Sequence, residues 1–402
     1  MPMSQFTGLV LLAGKDSPGI TVSLYETLSQ FAVKILDIEQ VVIRDRLILT
    51  TLISLDPAHA SAIEGDLLEM ANSKELDLAI DFSDLDATPS KDGNTVHISV
   101  LSKQLLPSQI AAVAKEIATL GGNIEKIQRT TNYPITAVNL EVAFPDEYAN
   151  ENLIAKLRRA IGQVAKSEKI DVAVESSGLL RKSKRIVMLD MDSTLIKQEV
   201  IDLLAEKAGV GDQVEKITER AMNGELDFTA SLKERVALLQ GLSVEAIAQV
   251  ATEIELTAGA RTLIRTLHKV GHKVGVVSGG FLNVIEPLLK DLQIDFYRAN
   301  ELEIVNGVLT GRTVGQVIDR DAKATALLDF ARKEGVDLAQ SIAIGDGAND
   351  LGMIEIAGLG IAFNAKTKVS EVADSSITSP YLDSVLYLMG ISEEEVREAN
   401  RV

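Results

Sequence analysis

The chain has 402 residues, 46% of them hydrophobic and 24% charged, enough apolar material for more than one domain. Its formal charge of −18 argues against nucleic acid or an anionic membrane as a bulk partner. Cysteine is absent, which excludes disulfides, thiolate metal sites and a thiol nucleophile. The segment Met1-Pro-Met-Ser-Gln-Phe carries no basic stretch, the apolar run after it is too short for a signal peptide, and no later run approaches a membrane span. No membrane partner and a cytoplasmic location are therefore expected. The four histidines, His59, His97, His268 and His272, are scattered and suggest no metal cluster.

From about residue 5 to 175 the sequence repeats itself. Gly8-Leu-Val-Leu-Leu-Ala aligns with His97-Ile-Ser-Val-Leu-Ser, Pro18 with Pro107, and Ile35 and Ile38 with Ile124 and Ile127, always 89 residues apart. Each copy reads as strand, helix opened by proline, strand, strand, helix, strand. In the first copy the spacing predicts helices over 18–33 and 58–72, and strands over 35–43, 47–55 and 76–82. A βαββαβ unit of this kind is an α+β, ferredoxin-like domain, an antiparallel sheet with helices on one face. Two such domains, at 1–87 and 93–176, are expected to pack side by side.

A polar and basic stretch then marks a linker at 177–185. Beyond it, in 186–402, short apolar strands at 186–189, 273–277 and 341–344 alternate with helical patterns, the signature of an α/β doubly wound parallel sheet. Residues 198–255 are too many for a simple crossover and are expected to form a helical cap.

The strand at 186–189 ends in Asp190-Met-Asp192-Ser193-Thr194, which puts two acids into the crevice at a sheet edge. Ser278-Gly279-Gly280 follows Val274-Gly-Val-Val and alone would be a glycine turn. Lys323, in Asp319-Arg-Asp-Ala-Lys323, alone would be a surface helix lysine. Gly345-Asp346-Gly347-Ala-Asn349-Asp350 follows Ser341-Ile-Ala-Ile and brings three polar side chains to a sharp turn. Together the four stretches provide a carboxylate nucleophile, a second acid, a hydroxyl with backbone N–H groups, a lysine and a further acid. That set suits phosphoryl transfer through an aspartyl-phosphate.

On these motifs the region from about 183 to 395 resembles the haloacid dehalogenase superfamily and, within it, the phosphoserine phosphatases. The Asp-Lys-Thr-Gly-Thr of the P-type ATPase relatives is missing. The resemblance implies a Rossmann-like sheet with a helical cap, O-phospho-L-serine as substrate, Mg²⁺ as cofactor and the last step of serine biosynthesis as the setting. It implies that Asp190 attacks phosphorus and that Asp192 protonates the leaving alcohol, then deprotonates water. Mg²⁺ would be held by Asp190, the backbone carbonyl of Asp192, and Asp346. Ser278, Gly279, Gly280, Lys323 and Asn349 would bind the phosphoryl group, with Asp350 holding Lys323 or the metal's water and Ser193 beside the acids.

In the cap, Phe228 and Arg235 lie two helical turns apart, with Asp227 as a candidate N-cap. Alone, Arg235 would be a solvated helix arginine. The resemblance implies that it pairs with the substrate carboxylate, that Glu199 takes the ammonium group, that Phe228 shields the site and that Met222 packs near the substrate.

The repeats resemble ACT domains, which in many enzymes of amino-acid metabolism bind a regulatory amino acid. In Gly14-Lys-Asp16-Ser-Pro18-Gly19, Asp16 and Gly19 form a candidate effector site for L-serine or another amino acid. A well-capped helix start accounts for the same residues. Repeat two has Lys103-Gln-Leu-Leu-Pro107-Ser there; it lacks the acid and the glycine, and is expected to be structural or dimer-forming. Paired ACT domains commonly associate, so a homodimer is expected. Two alternatives stay open: transfer of the phosphoryl group from Asp190 to another alcohol, and a catalytically silent amino-acid sensor.

Overall fold

The structure, a computed structural model, describes residues 5–85, 94–131, 133–145, 152–177, 183, 185–222 and 225–401. Much of the expected linker at 177–185 lies outside them. The chain divides into two compact units, residues 1–92 and 93–402. No helix of the described residues is long and apolar enough to cross a membrane.

The first unit holds β1 (Gln5–Lys15), β2 (Lys34–Ile43), β3 (Arg46–Ser54) and β4 (Leu76–Leu85), with helices Ile20–Leu28 and Ala60–Ser73. Its sheet is antiparallel in the order β2-β3-β1-β4. Alternate residues such as Val10, Leu12, Leu47, Leu49 and Ile53 meet Leu24, Leu28, Ile63 and Leu67 of the helices. The first helix is shorter than the predicted 18–33. Gly19 sits at φ 95°, which a helix cannot continue through, and beyond Ser29 the chain leaves the helix so that Phe31 and Val33 pack on the core.

The second unit opens with the second repeat: β5 (Asn94–Ser102), β6 (Asn123–Thr131), β7 (Thr136–Phe144) and β8 (Asp171–Ser176), with helices Pro107–Thr119 and Leu153–Glu168. The strands β9 (Ile186–Leu189), β10 (Lys273–Phe281), β11 (Phe296–Val305), β12 (Val308–Val314), β13 (Ser341–Gly345), β14 (Leu359–Phe363) and β15 (Ser375–Ile377) follow. All belong to one eleven-stranded sheet, ordered β12-β11-β10-β9-β13-β14-β15-β8-β5-β7-β6. The run from β11 to β15 is parallel, and β8 joins β15 antiparallel.

That junction is sealed by polar groups. Asp171, 7% exposed, accepts hydrogen bonds from the Thr378 N–H at 2.9 Å and the Thr378 hydroxyl at 2.8 Å, while Ser375 Oγ donates to the Val172 carbonyl at 2.8 Å. Arg158 pairs with Asp374 beside them.

β9 is buried along its whole length, as a central parallel strand with both faces covered must be. It lies between β10 and β13, where the winding reverses, so the crevice at its carboxyl end is the fold's natural ligand position. Over that end lie helices Val200–Lys207, Gly211–Met222, Phe228–Ala237 and Val244–Glu253. Ile196 and Leu256 pair where this insertion leaves and rejoins the core.

Candidate active site

Asp190 ends β9, its N–H still bonded to the Ile344 carbonyl of β13 at 2.9 Å. The chain then turns sharply. Asp192 is extended and Ser193 takes the left-handed conformation, φ 55°, a sparsely populated state for a non-glycine residue. Asp190 Oδ1 accepts from the Met191 N–H at 2.7 Å and from Lys323 Nζ at 2.6 Å. Lys323 lies in the first turn of helix Arg320–Glu334, capped by Asp319, whose Oδ1 accepts from the Ala322 N–H at 3.0 Å. It is fully buried and also donates to Asp350 Oδ1 at 2.6 Å. The second oxygen of Asp350 accepts from the Gly347 N–H at 2.9 Å, which fixes the turn after β13.

Asp192 lies across the cleft from this pair, where Oδ1 accepts from the Val200 N–H at 3.0 Å and Oδ2 from Ser278 Oγ at 3.4 Å. The Gly280 N–H holds Ser278 Oγ at 2.8 Å. Two glycines let side chains come close here: a Cβ on Gly280 would fall 2.7 Å from Asp192 Oδ2, and one on Gly279 would fall 2.9 Å from the tip of the Phe228 ring, so either would displace its neighbour. Asn349 is at hand too, its Nδ2 3.8 Å from where that Gly279 Cβ would be.

The acids are strongly perturbed. Burial, then the repulsion of Asp350, holds the Asp190 carboxyl well above its usual range, with Lys323 pulling the other way. Burial, then Glu199, pushes Asp192 up to about 7, and burial, then Asp350, pushes Asp346 up to about 6. Burial works against the charge of Lys323, but Asp190 and Asp350 more than offset it and its pKa is raised. Carboxylate oxygens of Asp190, Asp346 and Asp350 lie within 4.8 Å of one another. Asp190, Asp192, Asp346 and Asp350 thus all feel the Lys323 ammonium group, which hydrogen-bonds Asp190 and Asp350. This excess of negative charge, presented on oxygen donors alone, fits a hard divalent cation.

From the cap, Phe228 and Arg235 come down on one helix, and Asp227 caps it by accepting from the Ala230 N–H at 2.7 Å. Arg235 is half-buried, and burial lowers its pKa against the attraction of Asp202, Glu199 and Asp192. Glu199 accepts from Ser193 Oγ at 2.8 Å. Met222 ends the helix Gly211–Met222, and its side chain lies outside the described residues. Asp16 and Gly19 belong to the first unit.

Three neighbours were not singled out from the sequence. Thr194, fully buried, donates to Asp346 Oδ1 at 3.1 Å, and its place beside Ser193 in the first motif was the available signal. Asp202 faces Arg235 one helical turn after Glu199. Asn300 hydrogen-bonds two backbone groups, the Gly279 carbonyl and the Ile318 N–H, and no motif marks it.

Residues 187–355 match the haloacid dehalogenase-like hydrolase family, and residues 8–83 and 94–175 each match an ACT domain family. Over 394 residues, 98% of this chain and 95% of the other, the sequence is 47% identical to a phosphoserine phosphatase of Mycobacterium tuberculosis. The chain belongs to the phosphoserine phosphatase family. A phosphoserine phosphatase of Streptomyces coelicolor is 46% identical over 398 residues, 98% of this chain and 94% of that one. The crystal structure of a probable phosphoserine phosphatase from Vibrio cholerae, unliganded, superposes with a TM-score of 0.58 at 30% identity, covering 78% of this chain and 91% of that one. The protein is accordingly a phosphoric monoester hydrolase with two ACT domains, not a silent sensor.

Proposed function

We propose that this phosphatase hydrolyses O-phospho-L-serine to L-serine and phosphate, the last step of serine biosynthesis, through an aspartyl-phosphate on Asp190. The observation that carries the reading is the buried bridge of Lys323 between Asp190 and Asp350, with Asp192 raised to about 7 across the cleft. Lys323 and the Met191 N–H both bond Asp190 Oδ1, which orients the carboxylate and leaves Oδ2 for attack on phosphorus. Asp192, whose carboxyl burial pushes well up from the usual carboxylate range, gives its proton to the departing serine oxygen and then takes one from the attacking water. Lys323, Ser278, the backbone of Gly279 and Gly280, and Asn349 surround the transferring oxygens.

Asp190, Asp346 and the backbone carbonyl of Asp192 would hold Mg²⁺, with Asp350 and Ser193 supporting the arrangement. When bound, the ion offsets the charge of nucleophile and phosphate together. On the cap side, the Arg235 guanidinium suits the substrate carboxylate as a bidentate partner, and Glu199 suits its ammonium group. Phe228, against Gly279, closes the site from water, and Met222 belongs to the same cap wall. Phosphate release should require both Mg²⁺ and phosphoserine. A screen of small phosphomonoesters in which phosphoserine is no better than its competitors would overturn the substrate assignment.

An amino acid such as L-serine is the proposed effector, bound by the first ACT domain at Asp16 and Gly19. The support is a contrast between the repeats. Gly19 caps its helix with no side-chain hydrogen bond, so the first N–H groups stay available to a carboxylate. At the matching place in repeat two, Gln109 Oε1 accepts from the Leu106 N–H at 2.8 Å and Gln109 Nε2 donates to the Glu168 carbonyl at 2.9 Å, so a glutamine side chain ties that helix start to the end of helix Leu153–Glu168. Calorimetry of the full chain against a panel of amino acids tests this, and no heat from any of them would remove it.

A homodimer is proposed as well. β2 is an edge strand of its sheet, and Ile35, Ile38, Val41, Val42 and Ile43 on it are all at least 42% exposed. Light scattering that finds only monomer would refute it.

A further inference from the structure

We propose that Asn300 is a positioning residue for the phosphatase reaction, one buried amide that orients the phosphate-binding turn and the approach of Lys323 together. The inference rests on the roles proposed above for Ser278, Asp192 and Lys323.

Asn300 stands on β11 opposite Phe281 of β10 and is only 2% exposed. Its Nδ2 donates to the Gly279 carbonyl at 2.8 Å, and its Oδ1 accepts from the Ile318 N–H at 2.9 Å. An amide buried this far must replace water with such partners, and here the partners are backbone atoms of two active-site segments.

The first bond acts through a peptide plane. A trans peptide points its carbonyl and the following N–H in opposite directions. Drawing the Gly279 carbonyl toward Asn300 therefore turns the Gly280 N–H toward the cleft, where it holds Ser278 Oγ at 2.8 Å. Ser278 Oγ in turn donates to Asp192 Oδ2 at 3.4 Å. A rotation of this one peptide would move the phosphate-binding hydroxyl and loosen the proposed acid and base.

The second bond acts through a helix start. Ile318 precedes Asp319, the N-cap of helix Arg320–Glu334, and the Lys323 N–H bonds the Asp319 carbonyl at 2.9 Å. Fixing Ile318 thus fixes the first turn, from which Lys323 reaches Asp190. Asn283 makes a similar bridge, Nδ2 to the Leu302 carbonyl at 3.4 Å and Oδ1 from the Leu302 N–H at 2.8 Å, but both of these bonds go to Leu302 and neither to Gly279 nor to Ile318. It serves as the control for a purely structural role.

The test compares Asn300→Ala, Asn300→Asp, Asn300→Ser and Asn283→Ala in the full chain, by thermal midpoint and by kcat and KM for phosphoserine. Misplacement of reacting groups predicts a loss of about 100-fold in kcat for Asn300→Ala, with KM changed by less than about threefold. Asn283→Ala should lower the midpoint and keep kcat within about threefold of wild type.

Asn300→Asp carries the decisive readout. Protonated, its carboxyl group donates to the Gly279 carbonyl as the amide did; ionised, it repels that carbonyl. Its kcat relative to wild type should therefore fall about tenfold between roughly pH 5.5 and pH 8, while the ratio for Asn300→Ala stays flat.

The proposal is overturned if Asn300→Ala, or Asn300→Ser where the alanine variant does not fold, loses no more kcat than Asn283→Ala. It is also overturned if the loss falls on KM instead, or if the Asn300→Asp ratio is flat with pH. Failure of the wild type on phosphoserine would refute the substrate reading alone, because the same ratios can be read on any phosphomonoester it does hydrolyse.

Discussion

On the floor of the cleft Lys323, Asp350 and Ser278 are fully buried and Asp190 nearly so, and most of their hydrogen bonds run to one another or to the adjacent turns. On the cap Glu199 is exposed and Phe228 and Arg235 are half-buried. The floor holds its charges in one arrangement before any substrate arrives, which is what electrostatic catalysis requires. The cap keeps its charged groups within reach of water until a ligand replaces it. Floor substitutions should therefore act on kcat, and cap substitutions chiefly on KM.

The largest effect should come from Asp190→Asn, a loss on the order of 10⁴-fold or more in kcat by phosphate release, because no other described side chain is oriented by both Lys323 and the Met191 N–H. Lys323→Met should follow, at roughly 10²- to 10³-fold in kcat. It leaves two buried carboxylates facing each other, so unfolding should also show a loss of about 3–5 kcal/mol. Arg235→Lys should raise KM for phosphoserine about 10- to 100-fold and leave kcat within a few-fold, because the planar fork is lost. A fall in kcat at constant KM would erase the division between floor and cap. Phe228→Ala should cost only about threefold to tenfold, mostly in KM.

A thermal scan against pH sharpens the floor's side of the comparison. Asp190, Asp192 and Asp346 have folded pKa values above those of the unfolded chain, so between about pH 4 and the folded values the native state binds more protons. Stability of metal-free protein should therefore fall as pH rises through about 6 and 7. Added Mg²⁺ should restore a few degrees, more at pH 8 than at pH 5. An equal gain at both would count against the acids as its site.

The floor was legible in the sequence because each element ends an apolar run with glycine or acid, and the parallel sheet brings those ends to one edge. Asp190, Ser278 and Asp346 could be found that way, whereas Lys323, on helix Arg320–Glu334, stood out only in the company of the other three motifs. Asn300 could not be found, since a lone polar residue in the middle of β11 looks the same whether it faces water or two backbone segments. The first helix is shorter than its apolar pattern at both ends, because Gly19 has a positive φ and because Phe31 and Val33, beyond Ser29, reach the core without being helical. The junction of β8 with β15 left no trace either: strand pairing uses main-chain groups that every residue carries.

That junction decides where the chain can be cut. Cleavage between residues 85 and 94 would leave the four-stranded and eleven-stranded sheets each intact. Cleavage near residue 180, followed by loss of the N-terminal piece, would strip β8 away, bare the main-chain edge of β15 and remove Asp171 from Thr378. A fragment beginning at β9 is therefore expected to aggregate more readily than one beginning ahead of β5, which keeps β8 in its place beside β15.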